Sequence, residues 1–119
     1  PSFLNMDEEL FKNILTQAKI YFLKNRYQET CGVVFNKRVE FTPIKNEAPS
    51  GWTFSLTPKL RLIKNKIKII CHSHPFGDAY PSALDAKTAI DLSTPFLIYS
   101  CLYDNFVFFD LEKCKPYKV

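Results

Sequence analysis

Cys71-His72-Ser73-His74-Pro75-Phe76-Gly77-Asp78-Ala79-Tyr80-Pro81-Ser82-Ala83-Leu84-Asp85 is the stretch on which the reading of this chain turns. It holds the only two histidines of the sequence, two positions apart, at the end of a run from Lys66 to Cys71 with the character of a strand. In extended backbone, residues i and i+2 project to the same side, so both imidazoles can reach one ion. Gly77 and Pro81 mark a loop that returns the chain to a helix start at Ser82-Ala83-Leu84-Asp85. Asp85, one turn into that helix, is placed to supply a third ligand.

Two histidines and one carboxylate leave a tetrahedral zinc with a position for water, which is the layout of a catalytic site; structural sites are closed by four protein ligands. Zinc brings the pKa of its water down to about 7. A carboxylate must then take that proton and pass it to the leaving amine. Glu29, just before the apolar run Cys31-Gly32-Val33-Val34, is the candidate. Each piece has a plainer reading when taken alone. Ser82 to Asp85 is also a helix-capping pattern, His-Ser-His can be a surface pair, and most glutamates are simply solvated. The joint spacing favours a metal site. A Cys71–His72 nucleophile is disfavoured, because neighbours along a strand point to opposite faces.

Outward from this stretch, the spacing predicts a helix from about Met6 to Asn25, capped by Asn5 with Glu8 three residues on. Leu10, Ile14, Ala18 and Phe22 form its apolar stripe, widened by Phe11 and Leu15. Thr30 to Phe35 reads as a strand, Asn36-Lys37 as a turn, and Arg38 to Ile44 as a second, half-exposed strand. A loop over 46–53 and a short helix opening at Thr57-Pro58 and running to about Asn65 follow. Ile67, Ile69 and Cys71 are expected on one face of the next strand. Beyond the loop come a helix from Ala83 to Leu92 and two strands, Phe96 to Tyr103 and Phe106 to Leu111, joined at Asp104-Asn105. The order α-β-β-α-β-α-β-β makes residues 1–119 a single α/β domain, a sandwich around a mixed sheet.

The bulk properties fit that domain. The sequence of 119 residues is 46% hydrophobic and 24% charged, enough for a core without staples. No apolar run is long enough for a membrane span, and no signal-peptide layout opens the chain. Pro1 is not an initiator residue, and Met6 is a candidate start. The net charge is a mild +4, and the basic stretch Lys59, Arg61, Lys64, Lys66 and Lys68 lacks interleaved stacking aromatics, so nucleic acid is not the expected partner. Cys31, Cys71, Cys101 and Cys114 show no paired spacing; four free thiols and a reducing, cytoplasmic setting are expected.

His-Ser-His, seven residues, Ser, two residues, Asp, with an upstream Glu, resembles the JAMM (MPN+) signature of zinc metallopeptidases, and the order of elements is similar over nearly the whole chain. The resemblance implies a cytidine-deaminase-like α-β-α fold, His72, His74 and Asp85 as zinc ligands, Glu29 as general acid and base, and Ser82 as an oxyanion stabiliser. Gln28-Glu29-Thr30-Cys31-Gly32 looks like the Pro-x-Glu-x-Cys-Gly segment of compact bacterial and phage members. It is similar to the N-terminal domain of lambda-type phage tail assembly protein K, with Gln28 where proline is usual. His74-Pro75-Phe76-Gly77-Asp78 is also similar to RadC-like proteins, which carry Asn between the histidines. The implied activity is hydrolysis of an amide bond in a peptide or protein, in the host cytoplasm or the virion tail. The alternatives are deconjugation of a ubiquitin-like tail and a non-catalytic, zinc-bearing tail-tip module. An extended substrate would pair with a sheet edge, and Trp52 and Phe54 would line its groove or join the core.

Overall fold

A computed structural model of the chain describes residues 6–45 and 63–119. Helix α1 spans Glu8–Lys24. Asp7 caps it, its carboxylate accepting the Leu10 N–H at 2.9 Å, and Glu8 and Glu9 follow at the positive end of the helix dipole. The expected cap Asn5 lies outside the described residues, and the helix starts two positions later than expected. The buried stripe is Phe11, Ile14, Ala18 and Phe22, whereas Leu10 is 39% exposed. The reason is angular. Steps of four residues drift by about 40° each, so a stripe counted from Leu10 rotates off the face, while the step of three from Phe11 to Ile14 corrects the drift.

The remaining elements are β1 (Cys31–Phe35), β2 (Phe41–Ile44), a 3₁₀ turn (Lys64–Lys66), β3 (Ile67–His74), α2 (Ala83–Leu92), β4 (Phe96–Ser100), β5 (Asn105–Asp110) and β6 (Lys115–Lys118). The strands form one mixed sheet in the order β2-β1-β3-β4-β5-β6. Only β3 and β4 run parallel, and α2 makes the crossover between them. Phe11, Ile14, Ala18 and Phe22 of α1 cover one face with Val34, Ile69, Leu97, Tyr99 and Phe108. Ala89 and Leu92 of α2 cover the other with Val33, Ile70, Phe96, Ile98 and Val107. The architecture is therefore the expected α-β-α sandwich around a mixed sheet.

Several boundaries differ from the reading of the sequence. The strand carrying the histidines does not stop at Cys71 but continues through His74, because β4 pairs with it from Ile70 to His74. Ile67 does not share a face with Ile69 and Cys71. The register against β1 shifts between Val34↔Ile69 and Phe35↔Ile67, so Lys68 is an extra residue and Ile67 turns to the α2 side. Strand β2 begins at Phe41, three residues after the expected Arg38. Strand β4 ends at Ser100, where the chain turns through Asp104 at φ 52°. Strand β6 was not expected; Lys115-Pro116-Tyr117-Lys118 is a short edge strand containing proline, a pattern that reads as tail. Trp52, Phe54 and the expected helix opening at Pro58 lie outside the described residues, apart from the turn at Lys64–Lys66.

None of the four cysteines forms a disulfide, and Cys31, Cys71 and Cys101 are buried. Cys71 belongs to the layer beneath α1, on the opposite side of β3 from the histidines, and burial, with Cys31 nearby, holds its thiol far above the ordinary range. It is no nucleophile. Among the described residues no helix is long and apolar enough to cross a membrane.

Gly32 is fixed by packing. A Cβ there would enter the Phe41 ring and come within 2.8 Å of the Thr42 carbonyl oxygen, which belongs to the paired strand and cannot retreat. Gly32→Ala is expected to lower stability by about 1–3 kcal/mol, the usual penalty of overpacking, measured as a lower denaturation midpoint.

Candidate metal centre

The site forms where the parallel strands end and α2 begins. β3 aims His72 and His74 to the same side, with ring centroids 5.0 Å apart. The His72 ring is fully buried and meets Phe96 edge-on at 5.4 Å. The His74 side chain keeps 18% exposure, so the cluster reaches solvent on that side.

Asp85 is delivered by the cap of α2. Its N–H donates to the Ser82 hydroxyl at 3.0 Å, and the Ser82 N–H donates back to Asp85 Oδ2 at 3.0 Å. This capping box turns the carboxylate toward the strand ends. Asp85 Oδ1 lies 3.3 Å from His72 Nε2, and Oδ2 lies 3.1 Å from His74 Nε2. Glu29, also buried, enters from the segment just before β1, with Oε1 3.1 Å from His72 Nδ1. The structure thus brings Glu29, His72, His74 and Asp85 together, with ligand atoms all within 4.8 Å of one another. Ser82 stands beside them on the exposed helix start, its hydroxyl accepting from the helix.

Two contacts escaped the sequence reading. Ser73, between the histidines, points to the other face, where its hydroxyl accepts the Thr30 N–H at 3.0 Å and its own N–H donates to the Thr30 carbonyl at 3.0 Å. This clamp fixes the chain next to Glu29. His74 Nδ1 lies 2.7 Å from the Asp78 carbonyl. Strand alternation gives the direction of Ser73 but not its partner, and the Asp78 contact depends on a loop path that no periodicity records.

Opposite charges meet at the cluster. Burial disfavours a charged His72, but the Asp85 and Glu29 carboxylates beside it prevail and lift it to about 9. Burial likewise works against the Asp85 anion, yet the two imidazoles and the Ser82 N–H hold its carboxyl far below the usual range. Asp85 bridges the Nε2 atoms of the two imidazoles and Glu29 meets the Nδ1 edge of His72, a set of groups that can hold a proton or a metal ion. The spacing accommodates a metal ion. Ligand atoms about 2.1 Å from a tetrahedral zinc stand about 3.4 Å apart; His72 Nε2 lies 3.3 Å from Asp85 Oδ1, and His74 Nε2 lies 3.1 Å from Asp85 Oδ2.

Fold and site together define an α/β domain built around a buried His-His-Asp-Glu cluster with metal-binding character. A profile of the prokaryotic homologs of the JAB domain (Prok-JAB) matches residues 7–112, and the chain belongs to this family. The match is consistent with the JAMM/MPN resemblance of the sequence motif. The solution structure of protein DSY2949 from Desulfitobacterium hafniense is similar in fold, with a TM-score of 0.56 and 22% identity, covering 94% of this chain and 86% of that one. No curated protein sequence matches the chain.

Proposed function

We propose that this domain is a zinc-dependent peptidase or isopeptidase that hydrolyses an amide bond. The observation that carries the reading is the convergence of Glu29, from the segment leading into β1, on the His72-His74-Asp85 cluster, since a structural zinc site has no use for a proton acceptor. Zinc held by His72, His74 and Asp85 would supply Lewis acidity to the scissile carbonyl and the attacking water. Glu29 takes the proton from that water and returns it to the leaving amine. Glu29 also lines a cavity of about 240 Å³ with His74, Pro75, Phe76 and Gly77, which gives the carboxylate a route to substrate. Ser82, at the edge of the cluster, directs its hydroxyl hydrogen to the carbonyl oxygen as charge develops there.

The substrate is a peptide or protein chain. The resemblance to tail assembly proteins favours a phage tail component, met in the host cytoplasm or on the virion tail, and a neighbouring ubiquitin-like gene would favour deconjugation instead. The test uses a fluorogenic peptide library. Hydrolysis by the zinc-loaded protein is expected to disappear on dialysis against a chelator and to return with added zinc; activity that survives complete zinc removal would overturn the reading.

Ser82→Ala separates two roles of one hydroxyl. Loss of the cap is expected to cost about 1 kcal/mol of stability, while loss of the oxyanion donor slows turnover per folded molecule by roughly 10²–10³. Melting temperature and turnover on one preparation check both; a lower melting temperature with unchanged turnover would leave Ser82 only as a helix cap.

A further inference from the structure

We propose that Ser100, which is no part of the cluster, is a positioning residue that sets which nitrogen of His74 faces the metal; this rests on the metal-centre reading above. Ser100 ends β4, is fully buried, and pairs in parallel register with His74. Its hydroxyl donates to the Gly77 carbonyl at 2.7 Å and accepts the Tyr103 N–H at 3.0 Å. The hydroxyl has one proton, and it goes to the middle of the loop that follows His74. One residue further on, the Asp78 carbonyl meets His74 Nδ1 at 2.7 Å. The loop is closed on either side of this point. The Cys101 N–H donates to the His74 carbonyl at 3.1 Å, and the Tyr80 N–H donates to Asp78 Oδ1 at 3.0 Å.

The chemistry follows from what each group can do. A carbonyl only accepts, so the contact with Asp78 keeps a proton on Nδ1, and the lone pair offered to an ion is the one on Nε2. Nε2 is the atom beside Asp85 Oδ2. Without the Ser100 hydroxyl, the Gly77 carbonyl loses this donor and the Tyr103 N–H this acceptor, and the loop relaxes to find others. Asp78 then moves off Nδ1, and both the tautomer and the tilt of the His74 ring lose their restraint. Outer partners of this kind typically change metal affinity by about 10–100-fold.

The test reads zinc affinity by competition with a chromophoric chelator, and the imidazole tautomers by long-range nitrogen–proton correlation spectra. With two histidines in the chain, both rings are assigned at once. In the zinc-loaded protein His74 is expected to carry its proton on Nδ1. Ser100→Ala should weaken zinc binding by about 10–100-fold and perturb the His74 signals, while Ser100→Thr, which keeps the hydroxyl, restores both. Thr94→Val removes another buried hydroxyl, one bonded to the Leu92 carbonyl, and should lower stability without changing zinc affinity. Wild-type affinity in a folded Ser100→Ala protein, or an equal loss in Thr94→Val, overturns the proposal. So does a proton on Nε2 of His74, with Nδ1 bare, in the zinc-loaded wild-type protein, a result that needs no variant. Absence of zinc binding in the wild type speaks instead against the metal centre, and the hydrogen bond of the His74 Nδ1 proton in the zinc-free protein, present in the wild type and lost in Ser100→Ala, then still decides the role of Ser100.

Discussion

Glu29→Gln is expected to keep one zinc per chain and to lose peptide hydrolysis by roughly 10²–10⁴, the contribution of a positioned general acid and base. Glutamine matches glutamate in shape, and its carbonyl oxygen can still accept from His72 Nδ1, where Glu29 Oε1 now lies at 3.1 Å. The buried contact therefore survives and the protein folds. What disappears is the capacity to take a proton from water and return it to the amine. Elemental analysis and initial rates on the same sample separate the two properties. Full activity in the variant would remove Glu29 from the mechanism.

His74→Ala is expected to abolish stoichiometric zinc binding, and hydrolysis with it. The loss should exceed the 10–100-fold cost typical of an outer-shell partner, because a ligand itself is removed. His72 and Asp85 alone cannot complete a tetrahedral site. The fold should persist, since His74 is the more exposed of the two rings and the core on both faces of the sheet is built without it. Circular dichroism checks the fold, and metal analysis after gel filtration checks the site. One zinc per chain in this variant would show that the ligand assignment is wrong.

Much of this arrangement was legible in the sequence, and the parts that were not have physical causes. The i, i+2 spacing of His72 and His74 and the Ser82–Asp85 cap are local, so geometry within a few residues announces them. Glu29 lies 43 residues before His72, and its place follows only from β1 pairing with β3, with Cys31 opposite His72. Residue chemistry and the motif resemblance both single out Glu29, but the partner strand that places it is a property of the folded sheet. Ile67 was misjudged because a bulge at Lys68 breaks strict alternation, and a bulge is a property of two strands together. Leu10 and Phe11 were confused because both fit a helical count until the partner face chooses between them. Ser100 escaped notice because a serine closing an apolar strand carries no signal of its own; its meaning comes from a loop returning over it.

The alternation along β3 also makes the metal site a test of correct folding. Shift β3 by one residue against its neighbours and every side chain changes face. Cys71 and Ser73 would then stand where the two imidazoles stand now, and His72 and His74 would be driven into the layer beneath α1 among Phe22, Leu97 and Tyr99. Such a chain would meet zinc with a thiol and a hydroxyl, on the wrong side of Asp85. An ion that demands both imidazoles at once would therefore stabilise a single strand alignment and withdraw that molecule from the pool of misaligned ones. A metal ion bound there would act as proofreader of the sheet that holds it.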